Sequence, residues 1–258
     1  MMTRVMHCVE RWYSIPLLLA LWQIGVASGV VESRLLPSLT HVGTVLMQDT
    51  VNEVLPYHTA ITLGRAGIGF ALAALAGAPF AAAMARSILV RNLFEPIFFF
   101  GYPVPKIALF PVFTYIFGIG SPSKIAFAFL ECLYPIVVTA YLGFRAIPNS
   151  LIWTAENAGA SHATIIWRVI FPAAMPGIFT GLRVALPISI IVMVLTEMIG
   201  DSKGLGYYIA VSGTRFAYAN VYAAILVIGL CGFVLDRALL YTRGRCIRWE
   251  RGAPALTL

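Results

Sequence analysis

Charged side chains inside long apolar runs are the residues with chemistry to offer in this 258-residue chain. Placing one at the centre of a membrane helix costs about 2.5–3.5 kcal/mol even on lenient insertion scales, so such a residue is a functional candidate by default. Glu131 sits midway along one apolar run and Glu197 near the end of another, while Arg65, Lys106 and Arg183 lie near run ends. Arg65 and Arg183 have a bland reading, in which their heads snorkel to the interface or pair with backbone carbonyls. Glu131 has no such escape. It is either half of an interhelical pair or part of a pathway lining, and one mid-run acid does not make the relay of a proton pump.

Other chemistries lack their residues. No G-x-x-x-x-G-K-[ST] phosphate loop occurs, and no G-x-S-x-G elbow or Ser/His/Asp set. Cys8, Cys132, Cys231 and Cys246 are far apart, and His7, His41, His58 and His162 include no i, i+4 pair. No catalytic residue, metal site or cofactor is expected. The glycines Gly64, Gly67 and Gly69, and the pairs Gly177/Gly181 and Gly25/Gly29, read as places where helices approach closely.

The elements that must hold these charges follow from composition. Hydrophobic residues make up 60% of the chain and charged ones 11%, against about 25% charged in a soluble domain. With a mean hydropathy of +0.86, this is an all-α polytopic membrane protein. The net charge of +7 is dispersed among apolar runs and fits topology better than nucleic-acid binding. About six transmembrane helices are expected, near 14–31, 60–85, 97–117, 124–144, 175–199 and 221–242. The first is read as a retained helix, because the apolar run is longer than a signal peptide needs. Pro96, Pro103, Pro105 and Pro111 crowd the third, which is expected to be bent or broken and packed inside the bundle.

Orientation follows from the Lys/Arg bias. A cytoplasmic N-terminus puts Arg4, Arg11, Arg86, Arg91, Arg145, Arg168, Arg237, Arg243, Arg245, Arg248 and Arg251 inside, against Arg34, Lys124, Lys203 and Arg215 outside. Both termini are then cytoplasmic. On the outer side, residues 41–48 read as a surface helix, 118–123 as a turn, and 200–220 as a partly re-entrant or interfacial element lining a mouth. By depth, Tyr102, Lys106, Glu131, Tyr134, Met193 and Glu197 are candidates for lining a pathway.

One polar interruption, PNSLIWTAENAGASHATIIWRVIFPAAMP (148–176), faces the cytoplasm in this scheme. Its spacing gives a short helix, a break at Gly159, a second short helix and a stop at Pro172. It is either an ordinary amphipathic connector or a docking element, with small residues at the bend that another surface could approach.

The stretch AENAGASHATIIWRVIFPAAMP resembles the signature loop of permease subunits of bacterial ABC importers. Gly159 matches that family's glycine, and Val169, Phe171 and Pro172 match its hydrophobic-proline ending. Of the E-A-A triplet only Ala155 matches; Trp153 stands at the acidic position, and Glu156 falls one place beyond the triplet. LPSLTHVGTVL (36–46), HTAITLGRAGIGFALAALAG (58–77), EPIFFFGYPVPKIALFPVFTYIFGIGSPSKIAF (95–127) and TEMIGDSKGLGYYI (196–209) are similar to the branch importing nitrate, sulfonates, taurine and bicarbonate. Glu131 departs from the apolar residue expected there.

The resemblance implies a type I importer permease fold in a bacterial inner membrane. A transmembrane domain spans 14–245 with a coupling loop at 148–174 between helices 4 and 5, flanked by cytoplasmic segments 1–13 and 246–258. It implies two cytoplasmic ATP-binding subunits that hydrolyse the ATP, a second permease copy, and a periplasmic or lipid-anchored binding protein. It further implies ATPase docking at Ala155, Glu156, Asn157, Gly159, Ala160, Ser161 and Pro172. The rival is a stand-alone secondary transporter not driven by ATP.

Overall fold

A computed structural model describes residues 13–29, 32, 35–101 and 104–249. Tyr102, His7, Cys8, Arg4, Arg11, Arg34 and Arg251 lie outside the described residues. Among those described, all regular structure is helical.

Among the described residues, four helices are long and apolar enough to cross a membrane: α3 (Val54–Arg86), α6 (Ser121–Arg145), α8 (His162–Met198) and α10 (Tyr218–Cys246). The rest are shorter: α1 (Ser14–Ala27), α2 (Leu39–Val51), α4 (Ile88–Gly101), α5 (Phe110–Phe117), α7 (Asn149–Asn157) and α9 (Leu205–Thr214). At 1.5 Å per residue α3 is about 50 Å long and α8 about 55 Å, both longer than a hydrocarbon core of about 30 Å. Their ends therefore stand clear of the apolar layer and carry the polar groups described below.

Helix α6 is the axis of the fold, with α3 and α8 packed on it along seams of small residues. A Cβ at Gly69 would lie 2.9 Å from the Ala128 side chain, and one at Gly77 would lie 2.7 Å from Ile136. On the other side a Cβ at Gly177 would lie 2.7 Å from the Gly143 Cα, and one at Gly181 would collide with Thr139. Close backbone approach of this kind is how helices associate where burial of apolar surface gives no drive. Gly64, Gly67 and Gly29 face open space instead, so the packing reading does not extend to them.

Contacts along these seams fix direction. Residues 69 and 77 of α3 meet 128 and 136 of α6, so the two helices run parallel; 177 and 181 of α8 meet 143 and 136 of α6, so these run antiparallel. Parallel neighbours require the chain between Arg86 and Ser121 to return across the thickness of the fold. It does so as a broken element: α4 ends at Gly101, a 3₁₀ turn at Lys106–Leu109 follows, and α5 runs to Phe117. The prolines leave ladder carbonyls without a donor, which explains two short helices in place of one long one. The expected span at 14–31 is likewise shorter, ending at Ala27.

The proline stop at 172 is corrected. Helix α8 begins at His162 and runs through Pro172, because a π-helical turn at Ile166–Ile170 immediately precedes it. The widened turn accommodates a residue that has no N–H to donate. The chain at 200–220 contributes the short helix α9, packed with Val42, Leu55, Ala223 and Ala224 through Leu205 and Tyr208.

Candidate functional site

Three places in the fold gather the polar residues. The first is the connector, at the end of the bundle where α3 and α6 finish and α8 starts. Pro148 enters α7 in an extended conformation, and the helix closes with a glycine-centred cap. Gly159 has φ +76, its N–H donates to Glu156 O at 2.9 Å, and the Ala160 N–H donates to Ala155 O at 3.0 Å. That pair of bonds is the Schellman arrangement, which uses glycine because a Cβ is disfavoured at this φ. Ser161 then caps α8, its Oγ accepting from the Thr164 N–H at 3.3 Å.

The bend is therefore a rigid corner made of two caps. Glu156, Asn157, Gly159 and Ser161 are exposed, Ala155 and Ala160 half-buried, and a Cβ on Gly159 would meet nothing within 4 Å. Pro172 is half-buried inside α8, more than two turns from the corner. Trp153 of α7 is 60% exposed and Trp167 of α8 69% exposed. His162 hydrogen-bonds Arg86, joining the start of α8 to the end of α3. A groove of about 590 Å³ opens beside this contact, lined by Arg86, Arg145, Ile152, Glu156, His162 and Trp167 among others.

The second place lies midway along α6. Lys106 Nζ is 3.8 Å from Glu131 Oε2 and 5.0 Å from the centroid of the Tyr134 ring. The Tyr134 hydroxyl donates to Phe98 O at 2.8 Å, which holds the ring between α4 and α6. Three residues selected from sequence by depth are thus brought together, and Glu131 does have an ionic partner.

The third place lies at the opposite end from the connector and is a closed ionic cluster. Arg65 Nη1 donates to Glu197 Oε1 at 2.9 Å and to Asp201 Oδ2 at 2.8 Å, and its Nε donates to Ser121 Oγ at 3.0 Å. Lys124 Nζ is 3.1 Å from Asp201 Oδ2. Glu197 Oε2 accepts from Thr62 Oγ1 at 2.7 Å and from the Gly206 N–H at 3.1 Å, while Leu205 N–H donates to Thr62 Oγ1 at 2.8 Å. The Gly204 N–H donates to His58 Nδ1 at 3.0 Å.

Two cations face two carboxylates, and Arg65, Lys124 and Glu197 are 5%, 1% and 0% exposed. Burial alone would raise the Asp201 carboxyl. Hydrogen bonds from the Ser202 N–H and Lys124, with the charges of Lys124 and Arg65, outweigh it and hold the group below the usual aspartate range. Glycine is required at 204 and 206 because a Cβ at either position would run into Glu197. The snorkelling reading of Arg65 is thereby corrected, since the side chain is buried and paired with carboxylates. Arg183, in contrast, is half-exposed and pairs with Asp236 of α10 at 2.9 Å.

Met193 lies in the same interior, packed with Ala66, Phe110, Phe127 and Ala128. Neither Met193 nor Glu197 presents surface in the single chain. Sequence reasoning missed Thr62, Lys124 and Asp201. For Asp201 the signal was the density of polar residues and glycines in TEMIGDSKGLG at the end of an apolar helix; Thr62 and Lys124 carried none. Beside this cluster, Tyr208 hydrogen-bonds Asp49, and the Asn220 side-chain amide donates to Asp49 Oδ2 at 3.0 Å, tying α2, α9 and α10. Burial and the Asp49 carboxylate push the Tyr208 hydroxyl well above the usual tyrosine range.

Comparisons with known proteins bear on what this arrangement does. Residues 69–245 match the family described as binding-protein-dependent transport system inner membrane component. The taurine transport system permease protein of Escherichia coli strain K12 is 32% identical over 242 residues, 92% of this chain and 88% of that protein. A putative aliphatic sulfonates transport permease protein of the same organism is 29% identical, over 94% of this chain and 92% of its own. A nitrate import permease protein of Leptolyngbya laminosa is 28% identical, covering 76% of this chain and 70% of its own. Among solved structures, the inward-facing MetNI methionine ABC transporter shares the fold with TM-score 0.59 at 20% identity, covering 72% of this chain and 91% of that one.

Proposed function

The chain belongs to the family of binding-protein-dependent transport system inner membrane components, and on that premise we propose that it is the permease subunit of an ATP-driven importer for a small sulfonate- or nitrate-like solute. The substrate class is supported by relatives named for taurine, aliphatic sulfonates and nitrate. The observation that carries the coupling is the exposed, doubly capped corner at 155–161, fused to a helix that runs the full depth of the fold.

In this reading the chain crosses the membrane six times, through α1, α3, the broken element 88–117, α6, α8 and α10, with both termini cytoplasmic. Two copies form the path, two ATPase subunits seat the connectors, and a binding protein delivers solute to the opposite face. The docking residues are Ala155, Glu156, Asn157, Gly159, Ala160 and Ser161, with Pro172 shaping how α8 enters the membrane.

A push on the corner moves the start of α8, because the Ser161 cap makes the connector and the helix one body. The Arg86–His162 contact carries the same displacement to α3. At the far end both helices are locked together by the Arg65 cluster, so they tilt jointly. Such a device needs only two bundle states that bind the ATPase unequally. Lys106, Glu131 and Tyr134 line the path, while Met193 and Glu197 support it from behind.

Co-purification with the cognate ATPase subunit tests the docking. Wild type and Gly159→Asn, which tolerates the left-handed conformation, are expected to retain it. A glutamate at the same position, projecting into the open space above the corner, is expected to release it. ATPase binding unaffected by Gly159→Glu would overturn the assignment.

A further inference from the structure

The groove beside the Arg86–His162 contact changes character along its length. At one end stand Arg86 and Arg145, the last residues of α3 and α6, with Asn149 of the connector and His162 at the start of α8. From there the lining runs back into the bundle, with Ala78 and Ala82 of α3 on one wall and Ile166 and Ile170 of α8 on another. At 1.5 Å per residue, Ala78 lies about 12 Å before Arg86 and Ile170 about 12 Å after His162. That depth is most of the roughly 15 Å of hydrocarbon in one leaflet, half of a core about 30 Å thick.

The polar end carries unbalanced charge. Among the described residues, Arg86 hydrogen-bonds His162 and Arg145 donates to the Tyr141 hydroxyl at 3.4 Å, and neither guanidinium meets a carboxylate. Glu156 is the opposing charge in the lining; it is exposed and forms no ion pair with either arginine. Both α3 and α6 end here, and a helix C-terminus repels anions. Attraction for a negative group therefore comes from the two guanidiniums, whose forked donors suit a phosphate.

An occupant must be anionic at one end and apolar for about 12 Å beyond it. A soluble anion would leave the wall of Ala78, Ala82, Ile166 and Ile170 uncovered. A soluble subunit would have to enter the membrane-crossing part of α3 and α8 to reach that wall. A phospholipid of the adjoining leaflet already has the charge order and the depth. Trp167 lines the groove at 69% exposure, near the headgroup level where indole rings are favoured.

We propose that this groove binds an anionic phospholipid of the leaflet on the connector side, with its phosphate on Arg86 and Arg145 and an acyl chain against Ala78, Ala82, Ile166 and Ile170. Seated there, the lipid touches α3, α6, α7 and α8 together and joins the connector to the bundle. The inference uses the membrane placement of the helices; the permease reading supplies only the name of the leaflet, the cytoplasmic one.

Trp167 serves as the reporter. The full-length chain is placed in nanodiscs of phosphatidylcholine that carry, as a minor component, brominated phosphatidylglycerol or brominated phosphatidylcholine with the same acyl chains. The quenching lost in Trp167→Phe is the share of the signal that belongs to the groove. In wild type, brominated phosphatidylglycerol is expected to quench Trp167 more strongly than brominated phosphatidylcholine. Arg86→Gln and Arg145→Gln are each expected to lower that relative affinity about fivefold, the size of one basic residue's attraction to an anionic leaflet, and the double variant to abolish the preference. Ala82→Phe, which keeps both charges and fills the groove, is expected to lower phosphatidylglycerol binding. Arg245→Gln, at the same end of the bundle on α10 but outside the groove, is expected to change nothing.

Equal quenching by the two brominated lipids in wild type would overturn the proposal, as would a preference that survives in the double arginine variant. A loss in Arg245→Gln as large as in Arg86→Gln would reduce the effect to the field of the whole surface and overturn it too. Should the double variant fail to fold, Ala82→Phe decides, and unchanged quenching there sinks the idea. Loss of ATPase binding in the arginine variants with the lipid preference intact would make the groove a partner's surface instead. None of these outcomes depends on transport, so the permease reading stands or falls separately.

Discussion

Replacing Arg65 by methionine removes the centre of the ionic cluster while keeping an unbranched apolar stem in its place. Four contacts go: Glu197 at 2.9 Å, Asp201 at 2.8 Å, Ser121 at 3.0 Å and the Lys203 carbonyl at 3.4 Å. Asp201 keeps Lys124, but Glu197 is left as a fully buried carboxylate held, among the described residues, by Thr62 and the Gly206 N–H. Breaking one side of a buried pair costs about 3–5 kcal/mol, most of it from the stranded charge. Reversible unfolding in detergent, titrated with SDS, should show a loss of that size for Arg65→Met. The double variant Arg65→Met/Glu197→Gln should recover part of it, because the stranded charge is gone. A loss below about 1 kcal/mol, the range of solvated ion pairs, would refute the reasoning. So would strictly additive losses in the double-mutant cycle.

Three further outcomes follow from particular residues. Gly159→Ala forces a Cβ into a left-handed conformation, so unfolding should show a loss of about 1–2 kcal/mol, with Gly159→Asn losing less; equal stability of all three would mean the cap does not hold that backbone. Gly177→Leu drives a side chain into the Gly143 backbone, and a lower melting temperature is expected from overpacking of about 1–3 kcal/mol or more; an unchanged melt would show that α6 and α8 are not in close contact. The Asp201 carboxyl is held below its ordinary value, so its stabilisation is present above about pH 4 and is lost as pH falls through the folded pKa. Melting curves against pH should therefore converge for wild type and Asp201→Asn on acidification, and a constant gap down to low pH would contradict the assignment.

How much of this was legible in the sequence depended on the range of the interactions involved. Local hydropathy located α3, α6, α8 and α10, because twenty apolar residues in a row need no partner to be recognised. The corner at Gly159 was equally readable, since its caps are made within a few residues of chain. Pro172 misled because proline predicts a stop, whereas the π turn at Ile166–Ile170 lets the helix continue. The break in the return through α4 and α5 was foreseen from its prolines, but its ends were not. The expected packing inside the bundle is not met in the single chain, where Leu89, Phe100, Tyr115 and Ile116 are exposed. Arg65 misled for a different reason. Its partners Glu197 and Asp201 are more than a hundred residues away in sequence, and no periodicity announces such a contact. Within the interfacial element read at 200–220, Gly204 and Gly206 gave no sign that Glu197 occupies the space where their side chains would be. The pairing of Lys106 with Glu131 was likewise invisible, although depth alone had selected both.

The most direct test of the account is the energy source for uptake. Sealed proteoliposomes containing the permease, its ATPase subunit and its binding protein should accumulate labelled solute when ATP is enclosed with the ATPase, and should stop when the ATPase is omitted or a non-hydrolysable analogue is supplied. Accumulation by the permease alone, driven by an imposed proton or sodium gradient without ATP, would identify a secondary carrier and contradict the account.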